Sequence, residues 1–208
     1  DTTQEALLRF EENDVKEVII DLRYCTGGSI ANAALLASSF VAPELYGTAF
    51  CNLLDADGEI DTTYNYSGQK AALHDKKVFV ITGGQTAGAA ELFTAALNKS
   101  RSMYDLITFG AKSTAVNTMT ERFGSPYGFA INPVTNYVAL AGGDLLTGVT
   151  PDYPVNELQQ VENIYPLGSE QEYMLYNVFY YSTFGALPSD ASSAAATICR
   201  KSGNRFTK

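Results

Sequence analysis

Val15-Lys16-Glu17-Val18-Ile19-Ile20-Asp21-Leu22 is a β-branched, largely apolar run that reads as a buried strand. It leads into Gly27-Gly28, after which Ile30, Ala33, Ala34, Leu35, Leu36, Ser39 and Phe40 recur at helical spacing until Pro43 ends the helix. The same grammar returns further on: a strand over Lys77 to Thr82, a Gly83-Gly84 turn, and a helix from Ala89 to Asn98. Two strand, glycine turn, helix units predict an α/β layer fold.

Outward from these units the pattern changes. Leu7, Leu8 and Phe10 make a short amphipathic approach to the first strand. Ala49 to Leu54 and Ile60 to Tyr66 flank Asp55-Ala56-Asp57-Gly58 and predict a hairpin. A calcium loop would need a Glu at its twelfth position, where Tyr66 stands, so the Asp-x-Asp-Gly run is read as a turn. From Leu106 to Val155 short strands alternate with turns, among them Tyr127 to Ile131 and Tyr137 to Leu140. Glu170 to Tyr181 reads as a helix whose aromatic stripe is core. The chain is expected to divide into a core domain over residues 1–188 and a loosely held basic tail over residues 189–208.

Composition narrows the function. The 208 residues carry a net charge of −9, which repels a phosphate backbone, so no nucleic-acid partner is expected. Three cysteines, Cys25, Cys51 and Cys199, are too few and too scattered for a zinc motif or a disulfide framework. Ala33 to Pro43 is the longest apolar stretch, far short of a transmembrane span, and the opening residues carry no signal-peptide pattern.

Each glycine turn follows a strand and opens a helix, which places backbone N–H groups where a carboxylate or a developing oxyanion is stabilised. Neither turn has the spacing of a phosphate loop or a dinucleotide fingerprint. The one histidine, His74, has no local partner and is expected at the surface; no Gly-x-Ser-x-Gly elbow and no His-Glu-x-x-His motif occurs. No metal and no cofactor is expected.

Val18-Ile19-Ile20-Asp21-Leu22-Arg23-Tyr24-Cys25-Thr26-Gly27-Gly28-Ser29 resembles the Asp-Leu-Arg-x-Asn-x-Gly-Gly strand and turn of the S41 peptidases, the C-terminal processing or tail-specific proteases. Val78 to Thr82, followed by Thr86-Ala87-Gly88-Ala89-Ala90-Glu91, resembles that family's nucleophile segment, Ser/Thr-Ala-Ser-Ala-Ser-Glu. Tyr127 to Pro133, Gly148 to Val155 and Tyr165-Pro166-Leu167-Gly168 are similar to its closing elements, so the likeness covers about residues 7 to 181. The resemblance implies a crotonase-like α/β core, a polypeptide or protein C-terminus as partner, and a periplasmic, cell-surface or secreted location.

The departures bear on activity. Gly88 stands at the position of the nucleophilic Ser, and Cys25 at that of the Asn. The family's general base is a Lys in a Thr-x-Gly-Lys-Asn-like segment after a strand ending in Gly. Matching Asn117 to that Asn puts Val116 at the Lys position, whereas an ungapped count points to Lys112. A serine–lysine dyad needs both side chains, but the oxyanion hole is backbone, so Gly27, Gly28 and Ala89 would keep it. Thr86 and Glu91 read as cleft-supporting residues beside Asn117, a turn hydroxyl and a helix N-terminal carboxylate respectively. Gly88 is therefore native, with the domain binding extended polypeptide without hydrolysis, or it replaces a Ser in an active serine peptidase whose base is Lys112, or the register is shifted.

Overall fold

The computed structural model describes residues 2–103, 105–160 and 164–188. They fall into two compact units, which divide between Asp152 and Tyr153.

The first unit begins with α1 (Thr2–Glu12), so the approach marked by Leu7, Leu8 and Phe10 is itself a helix, with Leu7 buried in the core. Three parallel strands follow from the β-branched runs: β1 (Glu17–Asp21), β4 (Lys77–Thr82) and β5 (Leu106–Gly110). β4 lies between the other two, with Val18 opposite Val78 and Val80 opposite Thr108. Val78 to Thr82 are all buried, as a central parallel strand covered on both faces requires.

The hairpin of β2 (Ala49–Leu54) and β3 (Ile60–Asn65) joins an antiparallel sheet with β6 (Thr118–Thr120) and β9 (Val134–Leu140), in the order β3-β2-β9-β6. Its turn is closed by Asp55, whose carboxylate accepts the N–H groups of Asp57 and Glu59, with Gly58 at φ +84°. β7 (Phe123–Gly124) and β8 (Ala130–Ile131) pair beyond β6. The strand expected over Tyr127 to Ile131 is thus mostly turn, because Gly128 sits at φ +85° and Ser125 accepts its N–H.

Two helices carry the glycine turns. α2 (Ile30–Ser38) starts on Ser29, whose hydroxyl accepts the Asn32 N–H, and stops short of Pro43 as the Ser39 and Phe40 N–H groups turn back to Leu36 and Ala37. α3 (Ala89–Lys99) is buried from Ala89 to Leu97, polar Glu91 and Thr94 included, and packs against α2, β2 and β9. Phe40 and Phe93 meet edge to face with centroids 6.3 Å apart.

The second unit holds α4 (Tyr173–Phe184), which starts three residues later than its sequence pattern suggests because Glu172 caps it by accepting the Leu175 N–H. Gly185 ends it in the left-handed conformation. Leu175 and Tyr176 are buried, and Tyr153 donates to or accepts from Tyr181 across 2.9 Å between hydroxyls. The expected basic tail, with Cys199, lies outside the described residues.

Candidate functional site

The site is built where β4 hands the chain to α3. Thr86, fully buried, accepts the Gly83 N–H at 2.9 Å and donates to the Leu22 carbonyl at 2.8 Å, fastening this turn to the end of β1. Its own carbonyl accepts the Thr114 N–H, and the Thr114 hydroxyl donates to Gly84 O. The Thr86 hydroxyl thus commits its proton and one lone pair to the backbone, as a residue that holds the turn.

Gly88 follows as the N-cap of α3, at φ +56° and ψ −121°. That conformation is strained for any residue with a Cβ. A Cβ placed there would lie 3.5 Å from Gly27 Cα, an ordinary contact. A side chain at position 88 would therefore face the Gly27-Gly28 turn, with room to stand there.

Glu91 fixes this geometry. It is fully buried, and its carboxylate accepts three backbone N–H groups: Gly88 and Val116 at 2.9 Å each, and Ala115. The Gly88 N–H thus points back to the helix, as in half of a capping box, while the 115–116 segment is pulled against the start of α3. Val116 is half-buried there, and the backbone carbonyl of Asn117 accepts the Val138 N–H at 2.7 Å, tying the segment to β9. Lys112 is exposed and makes no ion pair among the described residues.

The opposing wall is the turn after β1. Arg23, 8% exposed, forks onto Asp21 through Nε and Nη2, the latter at 2.7 Å. Leu22 N–H donates to Ile81 O, and Ala87 N–H to Cys25 O, so the turn is stitched to β4 and to the start of α3. Gly27 and Gly28 then run at φ +155° and +137°, a path that side chains would resist. A Cβ on Gly28 would meet the Ala89 Cβ at 3.8 Å, which measures how closely the two segments approach.

Between them lies a cavity of about 350 Å³. Leu22, Ala33, Leu36, Ala90 and Phe93 give it apolar walls, and Gly27, Gly28, Ser29 and Ala89 line it too; no charged residue does. The backbone N–H groups of Gly27, Gly28 and Ala89 have no acceptor among the described residues. His74 is elsewhere: half-buried instead of exposed, its Nδ1 shut from solvent and unbonded among the described residues, because the flanking Leu73 is wholly packed.

Two ion pairs brace this frame. The Asp21–Arg23 pair is local, two residues apart at the end of β1. The other is Asp152, which accepts both Nη groups of Arg101 at 2.8 Å and both the N–H and the hydroxyl of Thr108 at 2.9 Å. The Arg101 hydrogen bond holds its carboxyl down at about 2.

Known proteins place this geometry. The model of peptidase family S41 matches residues 1–155. No curated protein matches the chain. Among solved structures, a putative S41 protease from Bacteroides fragilis is 27% identical with a TM-score of 0.72, covering 89% of this chain and 49% of that one. A photosystem II D1 C-terminal processing protease has a TM-score of 0.62 at 18% identity, over 74% of this chain and 38% of that one. A lipoprotein from Streptococcus agalactiae has a TM-score of 0.52 at 20% identity, over 77% of this chain and 58% of that one. The chain spans about half or less of the first two of these structures. Its mixed α/β architecture with a parallel sheet is the crotonase-like arrangement of these protease domains.

Proposed function

The chain belongs to peptidase family S41, and from that premise we propose that this domain holds extended polypeptide in the cleft beside the Gly27-Gly28 turn without cutting it. The observation that carries the reading is Gly88: the residue opposite Gly27 at the start of α3 has no side chain with which to attack. A backbone oxyanion hole supports the reading: Gly27, Gly28 and Ala89 line the cavity, and their N–H groups have no acceptor among the described residues.

The base is missing in the same reading. Aligning Asn117 with the Asn of the family's Thr-x-Gly-Lys-Asn segment puts Val116 at the Lys and Ala115 at the Gly. Ala115 stands at φ +69°, the left-handed conformation that favours glycine, which supports this register over the one that uses Lys112. A hydroxyl nucleophile and a desolvated lysine act as a unit, and loss of either costs several orders of magnitude in rate. Strand addition would supply backbone hydrogen bonds to the bound segment. The chain acts in this reading outside the cytoplasm, in the periplasm, at the cell surface or secreted.

One observation favours a second reading, an active serine peptidase with Ser at position 88 and Lys112 as base. The turn keeps the strained φ and ψ of an exposed nucleophile and leaves ordinary space for a Cβ. Hydrolysis of an unfolded protein by the chain, by Gly88→Ser and by the Gly88→Ser, Val116→Lys pair decides between them. Activity restored by Gly88→Ser alone assigns Lys112 as the base and supports the second reading. Activity only in the pair, or in neither, supports the first.

A further inference from the structure

We propose that this domain rests on a lipid bilayer of zwitterionic headgroups, entering it with the hairpin tip of residues 123–131. β7 and β8 extend the β6–β9 hairpin outward, since the Glu121 N–H donates to the Pro133 carbonyl at 3.3 Å and Phe123 stands opposite Ile131. On this arm Tyr127 is 88% exposed, Phe129 62% and Ile131 58%, and Phe123 and Val134 are exposed as well. From Phe123 to Gly143 the chain has no charged residue, although it carries a net charge of −9. So large a group of exposed apolar side chains on a folded domain marks a contact surface.

Two observations choose a bilayer over a protein groove. Phe123, Ile131 and Phe129, two residues before Ile131, share one face of the arm, and Gly124 and Ala130 on the other face are exposed and uncharged. A groove covers one face and leaves the other to water, whereas this arm is uncharged all round. The tip also satisfies its own backbone, as entry into hydrocarbon requires. The Ser125 N–H donates to the Phe129 carbonyl at 2.8 Å, the Gly128 N–H to the Ser125 carbonyl at 3.2 Å and the Tyr127 N–H to the Ser125 hydroxyl at 3.2 Å. Pro126 has no N–H to satisfy.

The base of the tip fits the headgroups. Glu121 and Arg122 are exposed side by side there, neither in an ion pair among the described residues. Arg122 precedes Ser125 by three residues, roughly 10 Å of strand, and an interfacial segment buries its apolar part by about 5–10 Å. At that depth Arg122 meets the phosphate of a zwitterionic headgroup and Glu121 its ammonium, while Tyr127 has the apolar ring and polar hydroxyl of a boundary residue. The net charge of −9 repels an anionic leaflet, which settles the choice of headgroup.

The chain has no tryptophan, so Tyr127→Trp gives the tip a fluorophore of its own. On phosphatidylcholine vesicles its emission should move to the blue and be quenched by brominated acyl chains, while Ile60→Trp, on β3 at the far edge of the sheet from β6, should keep its emission. The unaltered chain should float with these vesicles in a density gradient. Tyr127→Ser with Phe129→Ser should lower that partition about tenfold or more at unchanged Tm, because both positions are exposed. Replacing a third of the lipid by phosphatidylglycerol should weaken binding at low salt. No flotation of the unaltered chain, equal flotation of the double variant, or an unshifted emission of Tyr127→Trp overturns the proposal. Tighter binding to the anionic vesicles overturns the zwitterionic assignment. Self-association without lipid, abolished by the same two serine substitutions, would make the arm an interface between copies and also overturns it.

Discussion

Replacing Glu91 tests whether one buried carboxylate holds the whole site together. It is fully buried and accepts the N–H groups of Gly88, Ala115 and Val116. A hydrogen bond to a charged group contributes about 1.5–3 kcal/mol. Ala115 is exposed and its N–H can return to water, so two bonds count fully, which sets the cost of Glu91→Ala at about 3–6 kcal/mol. Glu91→Gln keeps one acceptor oxygen but turns an NH₂ toward a donor, for about 2 kcal/mol. Against a typical stability of about 5–15 kcal/mol the alanine variant is a large loss, and it should lower Tm by about 6–24 °C. Because the chain has two compact units, the sharper assay is native-state hydrogen exchange at Val116. Its protection should fall by about a hundredfold or more in Glu91→Ala, and by less in Glu91→Gln. Wild-type protection at Val116 in both variants, with Tm unchanged, would refute the reasoning.

Other consequences are as direct. Asp152, held at about 2 chiefly by the Arg101 hydrogen bond, has a folded pKa below its unfolded value near 4. Its contribution is complete above pH ~4 and is lost as pH falls toward ~2; with both partners partly exposed it amounts to about 1 kcal/mol, so Asp152→Asn should lose that amount at pH 7 and flatten acid unfolding over that window. Burial pushes the Cys51 thiol up to about 12 while Cys25 is half-buried, so in a Cys199→Ser background native alkylation at pH 8 should reach Cys25 first and Cys51 only on unfolding, as peptide mass mapping will show. Thr86→Val keeps the shape but removes the acceptor for Gly83 N–H and the donor to Leu22 O; a loss of about 1–3 kcal/mol in urea unfolding is expected.

What the sequence disclosed and what it hid follow from the range of the interactions. β4 and α3 were legible because a β-branched run, a glycine pair and a helical period are local signals. α1 registered only as an approach to a strand, because three apolar residues do not set a period over eleven positions. The Tyr127 to Ile131 stretch misled by its aromatics, which favour strands, while the turn at Gly128 was the stronger constraint. In the site, the glycines and Glu91 were marked by their motif. The reach of Glu91 to Ala115 and Val116 spans about 25 residues of chain and has no local signature. Nor could spacing show that Ala115 adopts φ +69°, the one backbone value that bears on where the base would stand.

The central claim, binding without cutting, is tested most directly by calorimetric titration of the unaltered chain with an extended peptide, followed by mass analysis of the peptide recovered from the cell. The account predicts saturable heat of binding and an intact peptide after prolonged incubation. Cleaved peptide, with cleavage lost on blocking the cavity, or no heat of binding at any concentration, would contradict it.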